Sequence, residues 1–438
     1  MMPSMPSDTV AIWILCSSFC LLLLLRFPVA LTLALSSLAT VVYLQIPVVV
    51  VAQQTLQGIN AFSLLAIPFF ILTGQLLGAG GLANRIVDFA NVFVGRLPGG
   101  LSVVNSVACM IFGNLSGSAV ADTSAIGSVM IPIMKKKGYP AAYAVGVTIS
   151  SAIQGVVVPP SHNLVLYSIV AAGVVGGISV SKLFLAGIIP GFLLLISLCT
   201  VGVVISIKNK YPKGDPVDRK QIPSIILHGF LSLTPAVIIL GSILSGMATA
   251  TEAGALAVVY SFCLGFFVYR ELRPKDLWPV LIRTFRIVLM VFFLIGASQA
   301  FGYVMSILRL PDLITQAFLV VSHTPWVILL MINILLLILG GPMDMAPMIV
   351  ILTPILLPVC MKLGMDPIQF GLVLIFNAGM GLLTPPVGTV LFVGCAIGKV
   401  DVNTGTKAMM PFFMAMIVVL FLITYVPMFT MWLPSFIK

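Results

Sequence analysis

Two proline pairs, Pro159-Pro160 and Pro385-Pro386, interrupt long apolar segments of this sequence. Each pair has small polar neighbours, in VVVPPSHN (156–163) and in LLTPPVGT (382–389). Because proline lacks a backbone N–H and clashes with the preceding helical turn, each pair frees several carbonyl oxygens. Carbonyl and hydroxyl oxygens suit a hard monovalent cation such as sodium. The two motifs therefore predict ion or ligand binding at two broken helices.

Two further polar clusters, FGNLSGSAVADTS (112–124) and GGPMDMAP (340–347), precede the proline pairs. They lie within the apolar segments 101–134 and 325–361. Each segment is too long for one membrane span of about 20 residues and too short for two comfortable spans. Each is therefore predicted to be a re-entrant hairpin, in which two short helices meet at a tip near mid-membrane. The free N–H groups at the start of the second helix would face a cavity and could hold a carboxylate.

These four elements supply the predicted ligands. The side chains predicted to contact the substrate are Asn114, Ser116, Ser118, Ser161, Asn163 and Thr389. The residues predicted to bind sodium through side-chain or backbone oxygens are Ser116, Gly117, Ser118, Pro159, Ser161, Gly341, Asp344, Thr384 and Gly388. Ser116 and Ser161 are expected to face one another across the first site, and residues 341–344 to face residues 384–389 across the second.

Four titratable side chains, Asp122, His162, Glu252 and Asp344, fall at predicted membrane depth. Residues of this kind inside a membrane are often functional, because burying a charge there is costly. Asp344 is predicted to coordinate an ion or to gate the substrate. The other three are candidates for gating or proton relay, and each has a structural alternative. Asp122 would cap its hairpin's second helix, Glu252 would cap a helix starting at 250, and His162 would bond to the loop backbone.

The composition places these motifs in a membrane protein. Of the 438 residues, 60% are hydrophobic and only 8% are charged, and the mean hydropathy is +1.20. Soluble domains carry about 25% charged residues, so the chain is predicted to be an all-α polytopic protein of the lipid bilayer. Its net charge of +10 resides between apolar segments, which indicates cytoplasmic loops rather than nucleic-acid binding. Threading from the basic stretch 208–220 predicts periplasmic N- and C-termini, with helices at about 10–25, 28–50 and 61–82 before the first hairpin.

The chain also contains an internal duplication. Pro159 and Pro385 are separated by 226 positions, and the same offset relates Gly138 to Gly364. The first repeat is predicted at 1–207, with a hairpin at about 101–134 and a broken helix at about 141–174. A cytoplasmic loop at 208–222 leads to the second repeat, 223–438, with a hairpin at about 325–361 and a broken helix at about 367–398. Each half has an odd number of predicted crossings, so the second repeat is inverted.

Inverted repeats with broken helices are typical of secondary transporters. Two other transport mechanisms stay open: an ion channel, since freed carbonyls also build selectivity filters, and a proton-coupled organic-anion carrier. An intramembrane serine protease would use Ser116 in GNLSG with His162 as base. That hypothesis leaves both the repeat and the second proline pair unexplained, so the chain is predicted not to be an enzyme.

The ordered blocks FGNLSGSAVADTSAIGSVMIPIMKKKGYP, VVVPPSHN, ATATEAGALAVVYS and GLLTPPVGTVLFVGCAIGK extend over most of the chain. In these blocks the sequence resembles the large, DctM-like membrane subunit of tripartite ATP-independent periplasmic (TRAP) transporters. The resemblance implies sodium-coupled uptake of an organic acid, such as a C4-dicarboxylate, a sugar acid or sialic acid, by an elevator mechanism. It also implies the bacterial inner membrane and two partners, a small four-helix membrane subunit and a periplasmic substrate-binding protein.

Overall fold

The computed structural model describes residues 8–25, 27–214, 217–385 and 388–436. Within these ranges the chain is helical, with short connections and no strands. The α-helices of the first half are α1 Asp8–Leu24, α2 Val29–Tyr43, α3 Val49–Ile59, α4 Ala66–Ala79, α5 Leu82–Val94, α6 Gly100–Ser116, α7 Ala119–Lys136, α8 Ala141–Ala152, α9 Gln154–Val157, α10 His162–Val175 and α11 Val180–Lys208. Those of the second half are α12 Ile222–Leu244, α13 Ala250–Cys263, α14 Pro274–Ile307, α15 Leu310–Val321, α16 Pro325–Gly340, α17 Met345–Lys362, α18 Pro367–Gly381, α19 Thr389–Gly398, α20 Val402–Tyr425 and α21 Met428–Met431.

Six helices in the described ranges are long and apolar enough to cross a membrane, and two bent helix pairs raise the number to eight. The helices α6, α16, α18 and α19 are also apolar but have only 10 to 17 residues. Helices of this length measure about 15–26 Å and are shorter than the hydrocarbon core of about 30 Å. They belong to the two hairpins, α6–α7 and α16–α17, and to the two broken helices, α8–α10 and α18–α19. The predicted fold class, an all-α polytopic protein with two such pairs of elements, is confirmed.

The two repeats make the same internal contact between hairpin and broken helix. A Cβ atom added to Gly113 would lie 2.3 Å from the Cα of Gly155, and one added to Gly381 would lie 2.5 Å from the Cα of Gly340. At these two positions the backbones of α6 and α9, and of α16 and α18, are in direct contact. Only glycine allows so close an approach.

A buried polar contact is repeated in the same way. The hydroxyls of Ser106 and Ser151 lie 2.8 Å apart, and the Asn377 amide donates to Asn333 Oδ1 at 2.8 Å. The halves also interlock, because α10 packs on α17 of the other repeat and α19 packs on α7. The two hairpins and two broken helices therefore form one packed bundle.

The N-terminal helices of both halves, α1–α5 and α12–α14, form a panel beside this bundle. In the panel α13 packs on α4, and α14 packs on α2, α3 and α4. Helix α1 packs on α2, and α12 packs on α5 and α13. The hairpin tips lie between the bundle and the panel, on the side of α4 and α14.

Two predicted helices are wrong in detail. The segment 28–50 is divided into α2 and α3, which are separated at 44–48, and the segment 61–82 is shortened to α4. Helix α5 then turns away from α4 by 79° at Gly80-Gly81, where Gly81 has a φ of +70°. Helices α5 and α15 are amphipathic, as in LANRIVDFANVFV, so a search for continuous apolar spans misses them. The division into repeats at 208–222 stays a prediction.

Candidate functional site

Both hairpin tips line one cavity of about 260 Å³. The first tip contributes residues 116–120, and the second contributes residues 344–346. The start of α10 adds His162 and Asn163. The panel closes the opposite side with Ile71 and Gln75 from α4 and with Ile287, Met290 and Val291 from α14. The cavity is thus built where the two repeats and the panel meet.

Small residues give the first tip its shape. Helix α6 ends at Gly117, which has a φ of +62°, a conformation that favours glycine. A Cβ atom there would also lie 2.5 Å from Nδ1 of His162. Ser118 then caps α7 by accepting a hydrogen bond from the Ala121 N–H at 3.3 Å, while Ser116 Oγ accepts from the Ser118 N–H at 3.3 Å. The tip is therefore compact and lies directly against the first broken helix.

Asn163 fastens that broken helix to the tip. Its side-chain amide donates to the carbonyl oxygen of Gly117 at 2.9 Å, and the bond is buried. The amide lies in the first turn of α10. The start of α10 and the tip of the first hairpin are thus held together by a specific hydrogen bond.

Ser161 does not reach the cavity wall. Its side chain is fully buried, and its Oγ donates to the carbonyl oxygen of Val156 at 2.9 Å. That carbonyl would bond to the N–H of residue 160 in a continuous helix, but Pro160 has none. Ser161 therefore satisfies a carbonyl freed by the break. The expected face-to-face arrangement of Ser116 and Ser161 across one site is not found, because the Ser161 hydroxyl is turned into the break.

The second tip has a carboxylate where the first has a serine. Asp344 caps α17, and its Oδ1 accepts from the Met345 N–H at 2.8 Å. The side chain is exposed and lines the cavity. Ser118 and Asp344 are separated by the repeat offset, so the two caps are equivalent in the two repeats.

The second broken helix passes close behind this tip. A Cβ atom on Gly341 would lie 3.8 Å from the carbonyl oxygens of both Thr384 and Pro385. The Thr384 hydroxyl donates to the Met380 carbonyl at 3.2 Å, while Gly388 precedes α19 and Thr389 begins it. The loop carbonyls and the second tip are thus together, as expected for residues 341–344 and 384–385. Pro386 and Val387 lie outside the described residues.

The structure divides the predicted ligands, together with the gating candidate His162, into two sets. Those that line the cavity between the tips are Ser116, Gly117, Ser118, His162, Asn163 and Asp344. Those outside its wall are Asn114, Pro159, Ser161, Gly341, Thr384, Gly388 and Thr389. Asn114 instead lines a narrow gap with Phe70 of α4 and Ile239 of α12.

Asp122 lies behind the first tip rather than in the cavity. It is fully buried, and neither carboxyl oxygen has a hydrogen-bond partner among the described residues. Its polar neighbour is the Cys109 thiol, a weak donor that is directed at Asn105 Oδ1 at 3.4 Å. The alternative that Asp122 caps α7 is wrong, because Ser118 occupies that position.

Glu252 is exposed and forms a capping box at the start of α13. Its Oε2 accepts from the Thr249 N–H at 2.8 Å, and its own N–H donates to Thr249 Oγ1 at 3.3 Å. It contributes nothing to the cavity wall. The geometry favours the capping alternative over gating.

Sequence reasoning missed the residues that the panel contributes. Gln75 of α4 lines the cavity, although it lies far from both proline pairs in the sequence. A polar side chain in the centre of an apolar helix is the available signal. The apolar residues of α14 carry no such signal, because they resemble those of any lipid-facing helix.

The fold and the cavity define a membrane transporter built from inverted hairpin repeats. The structure superposes on the Alcanivorax borkumensis YdaH transporter with a TM-score of 0.59 and 12% identity, over 87% of each chain. The sequence shows which family this is. Residues 16–429 match the family "Tripartite ATP-independent periplasmic transporter, DctM component", and the chain belongs to it.

Two named relatives are similar over most of this chain. The Pseudomonas aeruginosa C4-dicarboxylate TRAP transporter large permease protein DctM is 38% identical, over 86% of this chain and 87% of its own. The Oleidesulfovibrio alaskensis isethionate TRAP transporter permease protein DctMQ is also 38% identical, over 93% of this chain and 64% of its own. Both are permeases, so the prediction that the chain is a transport protein rather than an enzyme is confirmed.

Proposed function

We propose that this chain is the permease of a sodium-coupled uptake system for a small organic acid in the bacterial inner membrane. Two of its relatives are named for C4-dicarboxylate and isethionate, which are both small organic anions. The resemblance to TRAP transporters extends over most of the sequence. The periplasmic binding protein of the system would deliver the acid to the cavity between the hairpin tips.

The convergence of three helix starts on one cavity carries this proposal. Helix α7 begins after Ser118, α10 at His162 and α17 after Asp344, and all three residues line the cavity. The first N–H groups of a helix lack intrahelical acceptors and lie at the positive end of its dipole. Such ends hold a carboxylate without a lysine or arginine, and neither residue type lines the cavity. Ser118 and Asn163 are the proposed side-chain contacts of the acid.

The same region supplies oxygens for sodium as the co-transported ion. At the first tip the proposed ligands are Ser116 Oγ, the Gly117 carbonyl oxygen and a backbone carbonyl oxygen that is left without its helical donor at Pro159. Ser161 would stabilise the conformation of the break. At the second tip they are the Asp344 carboxylate and the carbonyls of Thr384 and Pro385 that lie against Gly341. Gly388 and Thr389 would complete the second set at the start of α19. Neutral oxygens with one carboxylate suit a monovalent cation, whose charge would also help to hold the anion.

Transport would proceed by movement of the bundle against the panel, as in an elevator. The panel meets the tips mainly through apolar side chains, which are Ile71, Ile287, Met290 and Val291. Apolar contacts break without leaving buried donors or acceptors unsatisfied. The tips could therefore pass along α14 without losing specific hydrogen bonds.

The system would have two further proteins, a small four-helix membrane subunit and a periplasmic substrate-binding protein. The family description "tripartite" supports this number of components. One relative, the permease protein DctMQ, is longer, since this chain matches only 64% of it. The extra length is consistent with a small subunit joined to the large one.

Reconstitution of all three proteins in liposomes tests the proposal. The substrate is first identified by thermal shift of the proposed periplasmic binding protein. Uptake of that acid should require an inward sodium gradient and should stop with a sodium ionophore. Uptake that is independent of the sodium gradient but driven by an imposed proton gradient would contradict sodium coupling. The mechanism would then be proton-coupled, with His162 and Asp122 as candidates for the proton relay.

A further inference from the structure

A second cavity, of about 370 Å³, lies between helices α3, α10, α14, α15 and α17. Its polar wall comes from Gln54 of α3 and from Ser298, Gln299, Tyr303 and Ser306 of α14. No charged side chain lines it among the described residues. The cavity between the tips is likewise free of lysine and arginine. The second cavity is therefore lined by neutral donors and acceptors, whereas Asp344 adds a carboxylate to the cavity between the tips.

Two prolines open the backbone of α17 toward this second cavity. Val350, Pro354 and Pro358 all line it and are spaced four residues apart. Pro354 removes the N–H that would bond to the Val350 carbonyl, and Pro358 removes the one that would bond to the Pro354 carbonyl. At membrane depth such carbonyls are tolerated where protein groups or water satisfy them. The second cavity is thus suited to hold water.

The two cavities follow one another along the same pair of helices. On α14, Val291 is the last residue that lines the cavity between the tips, and Ser298 is the first that lines the second cavity. These seven residues correspond to about 10 Å of helix. On α17, Ala346 is the last residue that lines the cavity between the tips, and Val350 is the first that lines the second cavity. These two residues are separated by about 6 Å along the helix axis. The second cavity therefore lies farther along the same groove, toward the ends of α14 and α17 opposite the basic start of α14.

We propose that the second cavity is a transient binding station for the organic acid on its path from the periplasm to the cavity between the tips. Gln54 and Gln299 are the proposed donors to the acid. Gln299 is exposed toward the cavity, and its side-chain amide lies next to Gly173 of α10, where a Cβ atom would be 3.6 Å from Oε1. It thus lies between panel and bundle. This inference rests on the proposed transport of an organic anion and adds a second site to it.

Thiol labelling tests whether the station is filled with water. A Cβ atom on Gly302 would meet nothing within 4 Å, so Gly302→Cys fits without strain. In a background without native cysteines, a negatively charged, membrane-impermeant thiol reagent added outside intact cells should modify it, and substrate should slow the reaction. Ser306→Cys, at an exposed position, provides a second variant. Ile196→Cys, at a 61% exposed position in the middle of α11, should stay unmodified because it faces lipid.

Failure of both cavity cysteines to react, in proteins that still transport, would overturn the water-filled station. Labelling only from the cytoplasmic side would overturn the proposed direction. Neither labelling result depends on sodium. Failure of the proposed function would instead appear as wild-type protein whose uptake is not coupled to sodium, so the two failures are distinguishable.

Charge placement tests whether the station binds an anion. Gln54→Glu and Gln299→Glu add a negative charge beside the path, so both should raise the KM for uptake by about ten-fold or more. The neutral change Gln299→Leu removes one donor and should raise KM by about two- to ten-fold. The control is Gln57→Glu, at an exposed position of the same helix outside the cavity, which should leave KM unchanged. Equal KM values for Gln299→Glu and Gln57→Glu would contradict anion binding at this cavity.

Discussion

The side-chain amide of Asn163 donates a buried hydrogen bond of 2.9 Å to the carbonyl oxygen of Gly117. This bond joins the start of α10 to the tip of the first hairpin. Both residues line the cavity between the tips. A single side chain therefore supplies a buried hydrogen bond that links two walls of the proposed site.

Replacing Asn163 with alanine should disturb this arrangement. The Gly117 carbonyl would lose its donor, which costs about 1–3 kcal/mol for a buried group, and uptake should fall by roughly ten-fold or more. Uptake normalised to the amount of inserted protein measures the effect. The control is Ser168→Ala, which removes a hydroxyl that donates to Ile178 O at 3.2 Å, toward the other end of α10. Similar losses in both variants would indicate general damage to α10 rather than a role of Asn163 at the tip.

Asp344→Asn separates charge from helix capping. Asparagine keeps an oxygen for the Met345 N–H, so the protein should insert and fold normally. Loss of the carboxylate should raise the sodium concentration for half-maximal uptake by about ten-fold or more. Asp401→Asn is the matched control, since Asp401 also caps a helix, by accepting from the Thr404 N–H at 2.9 Å, but does not line the cavity. An unchanged sodium dependence in Asp344→Asn would remove Asp344 from the proposed ligands.

The glycine contact of the first repeat should tolerate no side chain. Gly113→Ala places a methyl group 2.3 Å from the Gly155 Cα, and overpacking of this kind costs about 1–3 kcal/mol. The unfolding temperature of the purified protein should fall. Gly241→Ala introduces the same methyl group where nothing lies within 4 Å and should be neutral or stabilising. A wild-type melting temperature in Gly113→Ala would mean that the two backbones separate easily.

The proposed topology can be examined from outside the cell. Lys136 at the end of α7 is predicted to be cytoplasmic, and Lys362 at the end of α17 periplasmic. In a background without native cysteines, an impermeant thiol reagent should modify Lys362→Cys and spare Lys136→Cys in intact cells. The reverse pattern would mean that the whole chain is inserted in the opposite orientation. Equal reactivity at both positions would invalidate the second hairpin, because one additional crossing between them would place them on the same side.

Local signals in the sequence were sufficient for the breaks and the tips. The proline pairs at 159–160 and 385–386 predict breaks, because each pair removes two successive backbone N–H groups that a helix would use. Gly117 favours the left-handed conformation that follows α6. The capping alternative for Glu252 was also visible, because Thr249 and Glu252 have the spacing of a capping box.

Long-range packing decided what the sequence left open. Whether the Ser161 hydroxyl would face a ligand or the freed Val156 carbonyl depends on the path of the chain through the break. The side chains Gln75 and Val291 reach the cavity only because α4 and α14 pack against one another. Nothing in the local sequence around either residue indicates that neighbour.

The central claim is that the organic acid binds between the two hairpin tips. The most direct test is an electron cryomicroscopy structure of the permease with its small subunit. The sample contains sodium and the acid, at a concentration that calorimetry has shown to saturate binding. We predict density for the acid within hydrogen-bond distance of Ser118 and Asn163, with an ion beside Ser116 or Asp344. Density for the acid at another position, with this cavity holding only water, would contradict the account.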